Sequence, residues 1–254
     1  MGQITRRLLI LGGTGEAIQL AKKAANLPGL KVIFSLAGLT NKSVNATVLT
    51  RIGGFGGVTG LIQYLRNEAI DLLIDATHPF AARISSNAAT ASHELGLPRL
   101  MLIRSQWESL NQDWIEVDSL ESAAIRLQNQ QAKRIFLAIG KQQLSVFYHL
   151  QNMWFLMRTV EKNKEYKIVP KGKLILAKGP FNRSEEKQLL LDYKIDTVVS
   201  KNSGGDATYS KIVAAEELGI KVIMIQRPPK QKGETVVDVA SAMEWLNVKL
   251  FENI

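Results

Sequence analysis

The feature that most limits the fold of this chain is a glycine-rich stretch near the N-terminus. The apolar run at residues 8–11 stops at Gly12 and Gly13, and a segment with helical periodicity begins near Ala17. This order predicts a strand, a tight turn and a helix. Such a turn presents backbone N–H groups to an anion, and glycine lets a phosphate approach closely. We expect Gly12, Gly13, Thr14, Gly15 and Glu16 to bind phosphate. Because the full Gly-x-Gly-x-x-Gly fingerprint is absent, an ordinary turn without a ligand is the alternative.

Composition limits the classes of protein that fit. The 254 residues carry a formal net charge of +9 and no cysteine, so disulfides and thiolate chemistry are excluded. No apolar run reaches the roughly 18 residues of a membrane span, and the N-terminus lacks the apolar core of a signal peptide. We therefore expect a cytoplasmic protein with no membrane partner. A basic chain favours polyanionic partners, either nucleic acid or a small molecule rich in carboxylates or phosphates.

Apolar runs and helical segments alternate along the whole chain. Glycine or proline follows most of the apolar runs, as in βα units. Several such units in sequence predict an α/β protein with doubly wound parallel sheets. The polar span 105–112 suggests a boundary between an N-terminal domain, residues 1–108, and a C-terminal domain, residues 109–254. The expected strands are 8–11, 30–36, 47–52, 70–76, 99–104, 114–117, 134–139, 153–159, 173–177, 196–200 and 221–226.

The end of the second expected strand bears on the choice of nucleotide. Dinucleotide-binding units often end this strand with an acidic residue that holds the ribose hydroxyls. No acid follows here, and the segment contains hydroxyl groups and a lysine instead. These groups suit a phosphorylated ribose, so the pattern favours NADP over NAD. We expect Ser35, Thr40 and Lys42 to lie near that ribose.

Two further loops in the first half stand where ligands usually bind. Residues 53–57 read Gly-Gly-Phe-Gly-Gly, and so many glycines cost backbone entropy that a ligand contact would offset. Thr77 and His78 follow the expected fourth strand, and parallel sheets bind ligands beyond the carboxyl ends of their strands. A surface loop and a helix-capping histidine are the respective alternatives. The candidate ligand-binding residues are Gly54, Phe55, Gly56, Thr77 and His78.

Lysines and glycines also recur at strand ends in the second half. The expected strands there are followed by Gly140-Lys141, by Lys178-Gly179-Pro180-Phe181 and by Lys201-Asn202-Ser203-Gly204-Gly205. Lysine beside serine and paired glycines suits a carboxylate or phosphate, although the P-loop spacing is absent and ordinary surface turns are the alternative. The candidates of this half are Lys178, Gly179, Lys201, Ser203, Gly204 and Gly205.

Taken together, these motifs resemble those of the precorrin-6A reductase family of cobalamin (vitamin B12) biosynthesis. The resemblance is carried, in chain order, by residues 10–17, 53–57, 75–81, 179–181, 201–205 and 227–228. The family usually has Ala-Gly-Arg-Thr after the second strand, whereas Leu39 stands in place of that arginine here. Lys42 or Arg51 would then have to supply the anion contact.

The resemblance implies two Rossmann-like domains with a cleft between them. It also implies a reduced nicotinamide cofactor, NADPH or NADH, and a polycarboxylate tetrapyrrole substrate. Our hypothesis assigns the cofactor phosphate to residues 12–16 and the macrocycle to the other loops, and binding of the phosphate at residues 201–205 is the alternative. The reaction would deliver a hydride to one conjugated double bond of the macrocycle, in its metal-free or its cobalt form. A proton must also be supplied, and His78, a lysine or water could supply it. The sequence has no cluster of metal ligands, which fits chemistry carried by the cofactor.

Two other classes of protein are alternatives to this family. A nucleotide-sugar epimerase or short-chain dehydrogenase would carry Tyr-x-x-x-Lys, and none of the five tyrosines has lysine four residues later. A nucleic-acid binder fits the charge, but the densest basic group, at residues 162–173, lacks an aromatic ladder for stacking bases. We therefore expect no nucleic-acid partner. The sequence leaves the oligomeric state open, with a monomer as the working expectation.

Overall fold

The computed structural model describes residues 5–38, 48–109, 114–160 and 168–251. Seven α-helices and twelve strands lie in this part of the chain. In chain order the elements are β1 (Arg6–Leu11), α1 (Gly15–Ala24), β2 (Leu30–Leu36), β3 (Leu49–Ile52), α2 (Gly57–Asn67), β4 (Leu72–Asp75), α3 (Ala82–Leu95), β5 (Arg99–Leu102), β6 (Ile115–Val117), α4 (Leu120–Asn129), β7 (Arg134–Ala138), β8 (Trp154–Thr159), β9 (Gly172–Leu176), α5 (Arg183–Asp192), β10 (Thr197–Lys201), α6 (Ser210–Glu217), β11 (Lys221–Ile225), β12 (Glu234–Val236) and α7 (Val239–Phe251).

The chain forms two compact units. Unit 1 contains Met1–Ser105 together with Pro229–Ile254, and unit 2 contains Gln106–Pro228. Each unit has a six-stranded sheet, and every strand pair in the described residues is parallel. The predicted fold class, two doubly wound parallel-sheet α/β domains, is confirmed. No helix within the described ranges is both long enough and apolar enough to cross a membrane.

The sheet of unit 1 has the order β12-β5-β4-β1-β2-β3. The chain runs outward from β1 through β2 to β3, and then returns to the other side of β1 with β4 and β5. Leu8 of β1 therefore lies between Val32 of β2 and Leu72 of β4. In such sheets the carboxyl ends of the two strands at the reversal, here β1 and β4, frame the ligand crevice.

Helices cover the sheet of unit 1 with complementary apolar faces. Ala17, Leu20, Ala21 and Ala24 of α1 are fully buried and pack in one core with residues of α7. The residues of α2 and α3 that face the sheet form a second core with Leu9, Leu11 and Leu73. Because both faces of the sheet are covered, β4 is buried at every position, as is typical of parallel strands.

Unit 2 repeats this architecture in the order β6-β11-β10-β7-β8-β9. Its reversal lies between β7 and β10, so the loops after residues 138 and 201 frame its crevice. Phe136, Leu156 and Val198 belong to a core that also includes Ile212 and Ala215 of α6. The predicted loop Gly140-Lys141 leads into a 3₁₀ helix, Lys141–Phe147, that the sequence did not predict.

The end of the chain differs from the sequence expectation. The sequence predicts that residues 109–254 all belong to the second domain, but β12 pairs with β5 in the sheet of unit 1, with Glu234 opposite Leu100. Helix α7 follows β12 and buries Ala242 and Leu246 in the unit 1 core. Strand β12 was not predicted because its three residues form an edge strand without an apolar run. In the sheet of unit 2, the edge position beside β11 is occupied by β6.

Candidate functional site

The turn after β1 has a structural role that its sequence did not reveal. The Gly12 N–H donates to the Ser35 carbonyl at 2.8 Å, and a Cβ atom placed on Gly12 would lie 2.3 Å from Cζ of Phe34. Because Phe34 is fully buried, its ring cannot move away freely. Glycine at position 12 is therefore required by core packing, whether or not a phosphate approaches the turn.

The next three residues connect the turn to the end of β4. Gly13 has φ +143°, and a Cβ placed there would lie 4.0 Å from the backbone nitrogen of His78. The Thr14 hydroxyl accepts from the Ala17 N–H at 3.1 Å as the N-cap of α1, and it donates to the Ala76 carbonyl at 3.0 Å. Gly15 starts α1 with open space where a side chain would project. The N-terminus of α1 is thus held in place while its first turn stays accessible.

Glu16 is engaged by an arginine. Its carboxylate pairs with Nη1 of Arg104, at 3.0 Å to one oxygen and 3.3 Å to the other. A lone carboxylate in the first turn of α1 would compete with any anion bound at that helix end. The Arg104 charge offsets the Glu16 charge, so the amides of the turn stay available to a phosphate.

Two adjoining cavities open along the carboxyl edge of the unit 1 sheet. Their volumes are about 390 Å³ and about 280 Å³, and Gly12, Gly13 and Ala37 line both. The smaller cavity also contacts Thr14, Gly15 and Ile18. The remaining residues around the larger cavity are Leu11, Ser35, Gly53, Gly54, Phe55, Gly56, Gly57, Thr77, His78, Ala81, Arg83, Ile84 and Asn87. The two cavities together can hold an extended ligand that passes over the glycine turn.

Arg51 organises the 53–57 loop beside this space. Its Nη1 donates to the Ser35 hydroxyl at 3.2 Å and to the Gly53 carbonyl at 2.5 Å, and its Nη2 donates to the Gly54 carbonyl at 2.7 Å. The guanidinium lies over the Phe55 ring, with Cζ 3.8 Å from the ring centroid. A positive charge is therefore fixed at the end of β2, beside Ser35.

The 75–80 segment is shaped by its own side chains. The Asp75 carboxylate, buried at the end of β4, accepts from the Thr77 N–H at 3.1 Å and from the Thr77 hydroxyl at 2.7 Å. Nδ1 of His78 accepts from the Phe80 N–H at 3.2 Å. This hydrogen bond requires Nδ1 without a proton, so the neutral imidazole carries its proton on Nε2. His78 lines the larger cavity.

In unit 2 the 178–181 loop contacts the short segment that follows the predicted 201–205 loop. The Phe181 N–H donates to the Ala207 carbonyl at 3.4 Å, and a Cβ on Gly179 would lie 3.0 Å from the same oxygen. Arg158 lies over the Phe181 ring at 3.7 Å and pairs through both terminal nitrogens with the buried Glu186. The 178–181 loop therefore rests on the segment that follows Gly205, with Lys178 exposed at its start.

Lys201 ends β10, on the reversal of the unit 2 sheet. Its side chain is half-buried, and this burial lowers its pKa below the usual value for lysine. The Ser203 N–H donates to the Lys201 carbonyl at 2.7 Å, and Gly204 and Gly205 have φ of +68° and +74°. The 201–205 loop thus combines a desolvated cation with a tight turn that favours glycine.

Some functional candidates were missed or lie outside the described residues. Arg83, Ile84 and Asn87 of α3 line the larger cavity. Their position in the first turns of a helix that follows Thr77 and His78 was the signal available in the sequence. Thr40 and Lys42, predicted to lie near the ribose, fall outside the described residues.

Comparison with known families adds a second, independent observation. Residues 7–247 match the family model described as Precorrin-6x reductase CbiJ/CobK. The chain belongs to the precorrin-6x reductase family. The predicted family is therefore confirmed, and with it the reaction class, reduction of a carbon–carbon double bond of a tetrapyrrole in cobalamin biosynthesis.

Individual relatives agree over nearly the full chain. The precorrin-6A reductase of Rhodococcus erythropolis is 44% identical over 242 residues, which cover 94% of this chain and 97% of the relative. The cobalt-precorrin-6A reductase of Methanocaldococcus jannaschii is 27% identical and aligns with 87% of this chain and 90% of its own. A solved structure of the CobK precorrin-6A reductase superposes with a TM-score of 0.86 at 38% identity, over 96% of both chains.

Proposed function

We propose that this precorrin-6x reductase acts on metal-free precorrin-6A and uses NADPH as the hydride donor. Relatives named precorrin-6A reductase are 40–45% identical to this chain. Those named cobalt-precorrin-6A reductase are only 27–28% identical. The higher sequence identity to the first group supports the metal-free macrocycle as substrate.

In this proposal the cofactor binds to unit 1. The single observation that carries this assignment is the glycine turn of residues 12–15, which opens onto two adjoining cavities at the reversal of the sheet. In our proposal the first amides of α1 hold the pyrophosphate, and the pairing of Glu16 with Arg104 removes the repulsion that a carboxylate would exert. Ser35, at the end of β2, takes the ribose.

Preference for NADPH over NADH is supported by the charge at the end of β2. NADH-binding sites usually place a carboxylate there, which would repel a 2′-phosphate. Here Ser35 stands there, and the Arg51 guanidinium lies 3.2 Å from its hydroxyl. We infer that Arg51 supplies the anion contact that the family arginine, replaced by Leu39, would otherwise make. Thr40 and Lys42 remain predicted contacts.

The substrate carries carboxylate side chains, which suit the cationic and glycine-rich loops. In this proposal Lys178, Gly179 and Lys201 bind carboxylates with the turn of Ser203, Gly204 and Gly205, because cations and backbone amides both recognise anions. Gly54, Phe55, Gly56, Thr77 and His78 face the ring system.

A bound nicotinamide cofactor would supply a hydride, and thus two electrons, to one carbon of the macrocycle, and a proton would complete the dihydro product. Since Nδ1 of His78 accepts from the Phe80 N–H, a neutral His78 stabilises developing charge through its Nε2–H. It does not itself supply the proton, which comes from solvent in this proposal.

The test is anaerobic incubation of the purified protein with precorrin-6A and either NADPH or NADH. Loss of conjugation is followed in the visible spectrum, with cobalt-precorrin-6A as a parallel substrate. We expect the NADPH and metal-free combination to have the highest kcat/KM. Equal or faster turnover of the cobalt complex would contradict the substrate assignment, and faster turnover with NADH would contradict the cofactor assignment. A monomeric state and a cytoplasmic location remain predictions.

A further inference from the structure

Asn202 occupies an unusual position in the 201–205 loop. Its side-chain oxygen accepts from the Trp107 N–H at 2.8 Å, and its side-chain nitrogen donates to the Trp107 carbonyl at 3.0 Å. Asn202 is only 5% exposed and Trp107 only 8%. A primary amide is the side-chain group that can donate and accept at once in this geometry. Asn202 thus pairs with the backbone of Trp107 as a neighbouring strand would.

The backbone of Asn202 makes two more hydrogen bonds, to a different segment. Its N–H donates to the Ile225 carbonyl at 2.9 Å, and its carbonyl accepts from Nε of Arg227 at 2.8 Å. The chain passes between the two units after Ser105 and again after Pro228. Trp107 and Arg227 are therefore among the first and last residues of unit 2, and Asn202 binds both.

The side chain of Trp107 also contacts the 201–205 loop and the segment after it. Its Nε1–H donates to the Gly205 carbonyl at 2.9 Å, and its ring stacks on Tyr209 with centroids 5.4 Å apart. The loop is consequently fixed at both ends to residues outside it. This matters because Gly204 and Gly205 allow many backbone conformations, so the shape of the loop has to be imposed by its surroundings.

We propose that Asn202 is a positioning residue for tetrapyrrole reduction. It joins the 201–205 loop to the two segments through which the chain enters and leaves unit 2, and so holds Lys201 and Ser203 in the conformation that binds substrate carboxylates. Asn202 itself does not touch the substrate. This inference rests on the proposed function, in which that loop binds the tetrapyrrole.

The experiment uses full-length Asn202→Ala and Asn202→Asp proteins. Asp keeps the size and the acceptor oxygen but loses the donor, while Ala loses both. Steady-state measurements yield kcat and separate KM values for precorrin-6A and NADPH. Because each lost pairing leaves a buried backbone group unsatisfied, we expect the tetrapyrrole KM to rise about tenfold in Asn202→Ala. The NADPH KM should stay within about twofold, since the proposed cofactor site lies in unit 1 and keeps its hydrogen bonds.

Ser119→Ala is the matched control. Ser119 caps α4 in the same unit by accepting from the Ser122 N–H at 3.0 Å, so this variant loses stability without touching the loop. If Asn202→Ala only lowers the melting temperature, as Ser119→Ala should, with an unchanged tetrapyrrole KM, the inference is overturned. If Asn202→Ala does not fold, Asn202→Asp tests the same link, because it loses the donor to the Trp107 carbonyl, and an unchanged tetrapyrrole KM there also overturns the inference. A wild-type protein that reduces no tetrapyrrole refutes the proposed function instead.

Discussion

The guanidinium of Arg51 lies over the Phe55 ring, with Cζ 3.8 Å from the ring centroid. The same group donates to the Ser35 hydroxyl and to the carbonyls of Gly53 and Gly54. One cation therefore shapes the glycine-rich loop and sets the charge at the end of β2. This arrangement joins two motifs that are 16 or more residues apart in the sequence, and it makes Arg51 the residue on which nucleotide choice should depend.

Replacing Arg51 by alanine should weaken NADPH binding more than NADH binding. The loss of a charge-assisted contact to the 2′-phosphate should raise the NADPH KM about tenfold or more. The NADH KM should change less, because NADH has no 2′-phosphate. Steady-state kinetics with both cofactors measure the difference. Arg66→Ala is the control, since Arg66 is exposed on α2 and its guanidinium lies 4.0 Å from the Glu94 carboxylate. Equal losses with both cofactors would limit Arg51 to shaping the loop.

Two glycines of the same turn should respond oppositely to alanine. In Gly12→Ala the new Cβ would lie 2.3 Å from the Phe34 ring, so we expect a loss of about 1–3 kcal/mol in unfolding free energy from overpacking. Gly15→Ala meets open space at the start of α1 and should preserve or raise stability while it raises the NADPH KM. Urea denaturation and kinetics of both variants test the pair. An unchanged NADPH KM in Gly15→Ala would contradict the binding of the cofactor phosphate at this turn.

Arg158 and Glu186 form a buried ion pair in unit 2. We expect removal of one partner to destabilise the protein more than removal of both. Their side chains are 8% and 3% exposed, so Glu186→Gln leaves a buried guanidinium without its counter-charge and should cost about 3–5 kcal/mol. The double variant Arg158→Met with Glu186→Leu should lose less than Glu186→Gln alone, because it buries no charge. Denaturant unfolding of all three proteins measures this. If the double variant were the least stable of them, this explanation would fail.

Lys201→Met should make the folded protein more stable at pH 7 and should raise its tetrapyrrole KM. Burial lowers the Lys201 pKa in the folded protein below 10.5, so folding loses free energy while the charged amine is desolvated. At neutral pH both states bind the proton and the cost is complete. As pH rises through the folded pKa towards 10.5, the unfolded state binds more protons and wild-type stability recovers.

The comparison of Lys201→Met with the wild type therefore has a predicted pH dependence. The variant should be more stable at pH 7, and its advantage should shrink as pH approaches 10.5. Its tetrapyrrole KM should rise. Urea unfolding of both proteins at several pH values tests the sign, since all other groups titrate alike in the two proteins. A constant difference across that range would show that the Lys201 charge is not the cause.

His78→Asn separates loop structure from chemistry. The asparagine oxygen can accept from the Phe80 N–H as Nδ1 does at 3.2 Å, while the Nε2–H donor disappears. We expect the melting temperature to stay close to that of the wild type and kcat to fall about 10²-fold, the typical effect of losing one donor to developing charge. Thermal melting and single-turnover kinetics check both parts. A kcat near that of the wild type would contradict a role of His78 in the reaction.

Much of the secondary structure was predictable from short stretches of the sequence. The predicted strand at residues 30–36 matches β2 residue for residue, and the expected strand at 99–104 begins where β5 begins at Arg99. Apolar runs and glycine turns identify such elements because each depends on residues close together in the chain. The ordered motifs that indicated the family had the same local character.

Tertiary structure decided what depends on distant residues. The sequence alone determined the α/β class, the order of most elements and the family. Only the fold showed that β12 and α7 return to unit 1, that Gly12 is small because of Phe34, and that Asn202 holds Trp107 across 95 residues of chain. A three-residue edge strand, a ring against a turn and an amide paired with a backbone leave no periodic pattern. Their cause is contact in space, which no short stretch of sequence records.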